Sequence, residues 1–341
     1  MFNLININWD IFWLPLVAAG VLSYILTWVI RYLSHYYNWY PKPTAHQTHT
    51  RPTSRLGGVA IFISFVLAFL LVVDLTLPRL GMLLAISIVF VMGLLDDIYN
   101  VRAIYKLLIQ LLAIAIAIIF GVKIGQIANP FGGVIVFSQF WDIFFTTAWL
   151  LVVTNAMNLL DGLDGLSAGV TGIFSITLFW LSLFVVVNQP ETAVIAIILL
   201  GVILGFLRWN WYPAKIFMGD SGSNMLGLLI GILAIISGAK LATAALVLAF
   251  PILDAVWAFI RRVRQGKHPF IADRQHLHHR LMSVGVSHIN VVLIILSMVA
   301  ILGFISLLSG THTKLLLMGL TAIVMIMLIR SIILIQRRKG S

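Results

Sequence analysis

The sequence of 341 residues is 61% hydrophobic and only 10% charged, with a mean hydropathy of +1.07, a balance that marks a polytopic membrane protein and excludes a water-soluble domain. It has no cysteine, which excludes a disulfide framework, an iron–sulfur cluster and a thiolate zinc site. A formal charge of +11 would suit nucleic acid, but the basic residues are strung between apolar segments, as topology signals are, and no nucleic-acid partner is expected.

Apolar segments of spanning length fall at about 11–30, 57–73, 80–95, 104–121, 143–158, 166–187, 191–207, 219–237, 241–260, 290–309 and 314–335, roughly eleven helices by the length needed to cross hydrocarbon. The first lacks a small-residue cleavage pattern and reads as a retained span. No internal repeat or soluble insertion interrupts the series, so the chain is expected to form one membrane-embedded domain over residues 1–341. Arg79, Lys123, Lys240 and Lys314 occupy one set of loops, and the other 18 of the 22 Lys and Arg occupy the alternate set. The positive-inside rule then places the N-terminus outside and the C-terminus in the cytoplasm. The one long outer loop, about 122–142, has Asn-Pro and Gly-Gly turn signals between short β-prone runs, which predict a hairpin or a re-entrant cap.

The clustered polar motifs fall on the cytoplasmic side. The first inner loop contains HQTHTRPTSRLGG, where Arg51, Ser54, Arg55 and the Gly57–Gly58 pair offer donors and close backbone to a phosphate, or simply positive charge to anionic lipid. GLLDD, residues 93–97, sets Asp96 beside Asp97 at the end of a span, against the local basic excess. Adjacent carboxylates raise one another's pKa or recruit a cation, which suits a base or a metal site; the plainer reading is a structural ion-pair cluster. Arg102 and Lys106 follow with charge for an anionic group.

The densest motif is NAMNLLDGLDGL, residues 155–166. Asn155, Asn158 and Asp161 step by three, so neighbours face one another while the last turns stay helical, and glycines after Asp161 and Asp164 end the span in a re-aimed turn. A polar cap at the membrane interface explains one such acid more easily than this whole set. In FMGDSGS, Asp220 stands where an apolar helix begins, with open backbone around it for an ion or phosphate; alone it would be an N-cap, and with the other motifs it becomes a metal-ligand candidate. In HLHHRL, His276, His278, His279 and Arg280 form a donor cluster. It suits a polyanion better than zinc, because the spacing is not that of a helical zinc pair, and a solvated basic loop is the plainer alternative. There is no P-loop and no dinucleotide-binding glycine signature.

GLLDD, NAMNLLDGLDGL, FMGDSGS and HLHHRL, in this order and over nearly the whole chain, resemble the polyprenyl-phosphate N-acetylhexosamine-1-phosphate transferase family. DRQHLHHR resembles its WecA/TagO branch more than its MraY branch. The resemblance implies an all-α integral membrane protein of the bacterial cytoplasmic membrane, with about ten or eleven transmembrane helices and a cytoplasmic active-site cleft. It implies transfer of GlcNAc-1-phosphate from UDP-GlcNAc to undecaprenyl phosphate, with UMP leaving, as the first membrane step of an envelope polysaccharide or teichoic acid. It also implies dependence on Mg²⁺, with Mn²⁺ as a substitute. By position, Asp220 and Asn158 would ligate the metal, and Asp96, Asp97 and Lys106 would act at the lipid phosphate. Asn155, Asp161, Asp164, Arg55, His276, His278, His279 and Arg280 would bind substrate. A homodimer would suit the family. Another UDP-N-acetylhexosamine or UDP-MurNAc-pentapeptide is the alternative donor, and a transporter is the alternative of another class, disfavoured because the polar clusters sit at one face.

Overall fold

The computed structural model describes residues 9–39, 53–184, 187–238, 241–266 and 276–339. Arg51 and Lys240 lie outside them, as does the side chain of His279. The chain is a bundle of helices: α1 (Asp10–Tyr36), α2 (Gly57–Val72), α3 (Leu77–Tyr99), α4 (Ala103–Ile119), α5 (Gln139–Leu160), α6 (Leu166–Leu183), α7 (Pro190–Asn210), α8 (Gly219–Ile236), α9 (Leu241–Val247), α10 (Ala249–Arg264), α11 (Leu277–Ser283), α12 (His288–Leu308) and α13 (Thr311–Lys339).

Every apolar segment of the sequence is helical, but the span count differs from the expectation of eleven. Among the described residues eight helices are long and apolar enough to cross a membrane, while α2 and α4, at 16 and 17 residues, are shorter apolar helices. The segment expected as one span over 241–260 is two helices, α9 and α10, bent by 74° at Leu248. Pro251 explains the break. It has no N–H to give the Val247 carbonyl and is tolerated only because it lies in the first turn of a new helix.

α8 is the axis of the bundle: 89% of its apolar window is buried inside the protein, against 22% for α1 and for α13, whose apolar faces are left for lipid. α3 and α5 flank α8, α7 lies between α1 and α6, and α12 and α13 close over α9. Helices gain little from the hydrophobic effect once inside a bilayer, so close approach matters more. Gly201 and Gly205, one turn apart on α7, meet the backbone of α1 at Leu16 and Gly20, where any Cβ would collide with a carbonyl oxygen. That small-xxx-small pair was visible in the sequence and marks the α1–α7 interface.

The loop over about 122–142, expected as a hairpin or a re-entrant cap, contains a hairpin. β1 (Gln126–Ala128) pairs antiparallel with β2 (Val134–Val136), Ile127 opposite Ile135, and Gly132 and Gly133 turn the chain at positive φ. Asp142 on α5 ties the hairpin down by accepting the Gly125 N–H at 2.7 Å.

Candidate active site

The ends of α3 and α5 and the starts of α4 and α8 converge at one end of the bundle. α3 stops at Asn100, which takes the left-handed conformation (φ 55°) and so turns the chain directly into α4. That turn is why Asp96 and Lys106, ten residues apart, face each other. Asp96 is buried; its Oδ1 accepts the Val101 N–H at 2.7 Å and its Oδ2 pairs with the Lys106 ammonium. Lys106 Nζ also reaches Asp220 Oδ2, at 2.9 Å, so one ammonium bridges carboxylates from α3 and α8. Asn158, on the last turn of α5, donates from Nδ2 to Asp220 Oδ1 at 3.3 Å and to Ser223 Oγ at 2.9 Å.

The start of α8 is held by carboxylates from other helices, not by a cap of its own. Asp97 accepts the Asp220 N–H on Oδ1 at 2.8 Å and the Ser221 N–H on Oδ2 at 3.0 Å, and Asp161 accepts the N–H of Gly219. These are the N–H groups that a helix leaves without intrahelical partners, and negative charge is favourable there. The open backbone expected around Asp220 is therefore already occupied. The Gly57–Gly58 pair is likewise unavailable to a phosphate, since its N–H groups donate to Phe217 O and Met218 O at 3.0 and 2.8 Å. Its use is packing, as is that of Gly93, where a Cβ would lie 2.5 Å from both Asp220 O and the Ser221 backbone.

Asp161 caps α5 and stands near Asp220, Asp97 and Arg55. Loss of hydration, then the negative charges of Asp220 and Asp97, hold its carboxyl well above the usual carboxylate range, against the pull of Arg55 and the Gly219 N–H. Asp164 goes elsewhere. It is buried, its Oδ2 accepts the Ala214 N–H at 2.9 Å, and its own N–H donates to His288 Nε2 at 3.1 Å, which fixes the turn between α5 and α6 against the loop after α7. Asn155 lies one turn deeper than Asn158 and donates to Gln110 Oε1 at 3.1 Å; Gln110 in turn donates to Asn224 Oδ1 at 3.1 Å.

The histidine segment packs on the same turn. A side chain at Gly162 would come within 2.9 Å of His278 Nε2, so His278 lies directly against the residue after Asp161. His276 and His278 are both buried, with ring centroids 5.8 Å apart and planes within 7° of parallel. Arg280 is half-buried on α11. The structure thus brings Asp96, Asp97, Lys106, Asn158, Asp161 and Asp220 together, sets Arg55 and His278 at their border, and sends Asp164 into the scaffold.

Gln110, Ser223, Asn224 and Asp254 are the polar residues that the motifs did not single out as a site. Gln110 and Asn224 were detectable, each falling four residues after a motif residue, Lys106 or Asp220, on the same helix face. Asp254 shows in the sequence only as a lone acid within an apolar segment. Its partner, His276, is remote in sequence.

The donors that meet at Lys106 are carboxylates and an amide, the hard oxygen chemistry that Mg²⁺ takes, and the ammonium between Asp96 and Asp220 shows that the cluster accommodates positive charge. Among the described residues no three His, Asp or Glu side chains close on one point as a metal cage.

A model of glycosyl transferase family 4 matches residues 79–238, the stretch that carries all four converging helix ends. The chain is 33% identical over 324 residues to the decaprenyl-phosphate N-acetylglucosaminephosphotransferase of Mycolicibacterium smegmatis, covering 84% of this chain and 79% of that protein. It is 36% identical over 287 residues to the probable undecaprenyl-phosphate N-acetylglucosaminyl 1-phosphate transferase of Bacillus subtilis, covering 80% and 76%. It is 34% identical over 285 residues to the phospho-N-acetylmuramoyl-pentapeptide-transferase of Clostridium beijerinckii, covering 78% and 85%.

Proposed function

The chain belongs to glycosyl transferase family 4, as a multi-pass membrane phosphoglycosyltransferase of the polyprenyl-phosphate N-acetylhexosamine-1-phosphate transferase kind, and from that premise we propose its substrates and mechanism. The donor is UDP-GlcNAc, the acceptor is undecaprenyl phosphate, and the products are undecaprenyl-diphosphate-GlcNAc and UMP. The reaction opens an envelope polysaccharide or teichoic acid at the cytoplasmic face of a bacterial cytoplasmic membrane. The excess of Lys and Arg on one set of loops supports that orientation, with the N-terminus outside and the C-terminus inside.

The observation that carries the reading is the Lys106 ammonium held between Asp96 and Asp220 where four helix ends meet. A cluster of alternating charge at one end of an apolar bundle suits two phosphate groups brought together beside a bilayer, whereas a transport site would sit near the midplane. An oxygen of undecaprenyl phosphate attacks the β-phosphorus of UDP-GlcNAc, the bond from that phosphorus to the UMP oxygen breaks, and the electron pair leaves with UMP. The lipid phosphate is already anionic near neutrality, and Asp96, once Lys106 has turned toward the phosphates, would take a remaining proton. Lys106, turning from Asp220 toward the incoming phosphates, supplies charge to the in-line arrangement. Asp220 and Asn158 would hold Mg²⁺, which supplies charge neutralisation on the diphosphate when bound.

Direct attack is favoured over a covalent intermediate on Asp97 because both Asp97 oxygens already accept N–H groups from α8. A carboxylate so engaged is a poor nucleophile and a good anchor.

GlcNAc is favoured as the sugar by the DRQHLHHR loop and by the names of two of the relatives, and the pentapeptide donor of the third is the second reading. The deciding assay is UMP release by purified protein in detergent with undecaprenyl phosphate, Mg²⁺ and, in parallel, UDP-GlcNAc, UDP-GalNAc and UDP-MurNAc-pentapeptide. UMP from UDP-GlcNAc alone, lost in EDTA, is the expected result. UMP only from the pentapeptide moves the protein to the other branch, and none from any donor overturns the reading.

A further inference from the structure

Asp254 and His276 form a buried carboxylate–imidazole pair that the reaction above does not use. Asp254 sits on α10, just past the bend from α9, and His276 precedes α11. His276 Nδ1 lies 2.9 Å from Asp254 Oδ2, and Asp254 Oδ1 accepts the Leu277 N–H at 3.1 Å. Both side chains are at most 5% exposed. A carboxylate accepts only, so its partner nitrogen must carry the proton: Nδ1 is N–H and the ring cannot turn over without breaking the pair. Bonding the neighbouring backbone N–H with its second oxygen fixes the carboxylate as well.

The other ring nitrogen, Nε2, is buried and has no hydrogen-bond partner among the described residues. Leaving a polar atom unpaired at such depth is costly, and native proteins keep few of them outside functional sites. The ring lies parallel to His278, which is itself pressed against Gly162 beside Asp161. His276 thus stacks on the side chain that lies against Gly162, in the turn between α5 and α6.

We propose that Asp254 is a positioning residue for the transfer reaction, holding His276 with Nδ1–H toward its carboxylate so that Nε2 is the ring position that meets a phosphate oxygen of the nucleotide-sugar donor. The inference rests on the donor reaction proposed above. A ring held in this way can donate from both nitrogens only as the imidazolium, the form that a charge-assisted contact with a phosphate oxygen uses. A purely structural Asp254 would instead cap α11 and leave the His276 tautomer without consequence for the donor.

The test uses the full chain in detergent, labelled with ¹⁵N-histidine, and the variants Asp254→Asn, Asp254→Glu, His276→Gln and His276→Ala. In the unsubstituted protein the His276 signal, assigned by its loss in His276→Ala, is expected as the Nδ1–H tautomer, gaining a proton at Nε2 on addition of UDP-GlcNAc. In Asp254→Asn the two tautomers should mix. That variant should lose about 10- to 100-fold in kcat/KM for UDP-GlcNAc, the usual cost of removing a carboxylate that orients a histidine, with KM for undecaprenyl phosphate unchanged and partial recovery in Asp254→Glu. Joined to His276→Ala it should add nothing. An Nε2–H tautomer in the unsubstituted protein, or losses that multiply in the double variant, would overturn the proposal. His276→Gln leaves Asp254 free to cap α11, so it should lose donor efficiency at unchanged Tm even if the Asp254 variants do not fold; unchanged donor efficiency there would also overturn the idea. Absence of UMP from every donor would sink the reaction assigned to the protein, while the tautomer measurement would still decide the geometry of the pair.

Discussion

Two pairs of carboxylates, Asp96–Asp97 at the end of α3 and Asp161–Asp164 in the turn after α5, look alike in sequence and divide in the same way in space. Within each pair one acid meets the charge cluster, while also accepting a backbone N–H, and the other chiefly holds backbone. Asp96 meets Lys106 while Asp97 fastens the start of α8; Asp161 stands among Asp220, Asp97 and Arg55 while Asp164 accepts the Ala214 N–H. The pairs differ in what is fastened. Asp97 anchors the helix that carries Asp220, so its structural and chemical effects are inseparable. Asp164 anchors a loop on the far side of its turn and should separate stability from catalysis.

The largest effect is expected at the shared neighbour of both pairs. Asp220→Ala removes the acceptor of Lys106 and Asn158 and the proposed metal ligand, without touching core packing. UMP release should fall by about 10²–10³-fold or more, the scale of losing a preorganised electrostatic partner, with the protein still folded by gel filtration and thermal melting. Near-normal turnover would remove Asp220 from the centre of the site. Gly93→Ala comes next, because the added Cβ presses on the backbone of Asp220 and Ser221. Moving α8 away from α3 should cost about 1–3 kcal/mol, read as a lowered Tm, and should lower kcat along with it.

Asp97→Asn sharpens the comparison. The substitution replaces one of the two accepting oxygens by an NH₂, which then faces the Asp220 or the Ser221 N–H, donor against donor. Stability should fall by about 1–2 kcal/mol, as for a lost helix cap, and rate should fall more than UDP-sugar affinity. A change confined to UDP-sugar KM would break the equivalence of Asp97 with an anchor. Asp164→Asn should lower stability by a similar or smaller amount, about 1 kcal/mol for weakening the bond to the Ala214 N–H, with kcat/KM within a few-fold of normal. Losses of rate like those of Asp220→Ala would place Asp164 in the cluster after all.

The smallest effect concerns pH. Asp161 has a carboxyl raised above its ordinary value in the folded protein, so its contribution to stability is complete below the unfolded-state value and is lost as pH rises through the folded one. In EDTA, Asp161→Asn should therefore melt higher than the unsubstituted protein near neutrality, and the difference should shrink on acidification. A difference that grows toward acid pH would mean that the carboxyl is stabilised in its charged form.

Much of this molecule is legible without coordinates. Apolar runs must become helices where no water can satisfy the backbone, so every apolar segment found from composition is helical, and the Asn-Pro and Gly-Gly signals mark the hairpin at β1 and β2. The motif residues Asp96, Lys106, Asn158, Asp161 and Asp220 were legible as well, because charge in an apolar context is costly and has few uses. Span lengths were less so. Where helices pack together, as for α2 and α4 against α3, α7 and α8, protein replaces lipid and a short helix suffices.

What the sequence by itself determined is which residues are polar among apolar neighbours and on which helix face each repeats, since both follow from local periodicity and the cost of burying charge. Only the tertiary structure decided which polar atom meets which. Asp97 and Asp161 satisfy the N–H groups at the start of α8, Lys106 bridges Asp96 and Asp220, and Asp254 takes His276, all across separations of ten to more than a hundred residues. A hydrogen bond is set by the position of two atoms to within a few tenths of an ångström, and that position is fixed by how whole helices pack, through contacts such as Gly93 on Ser221, which no local pattern encodes.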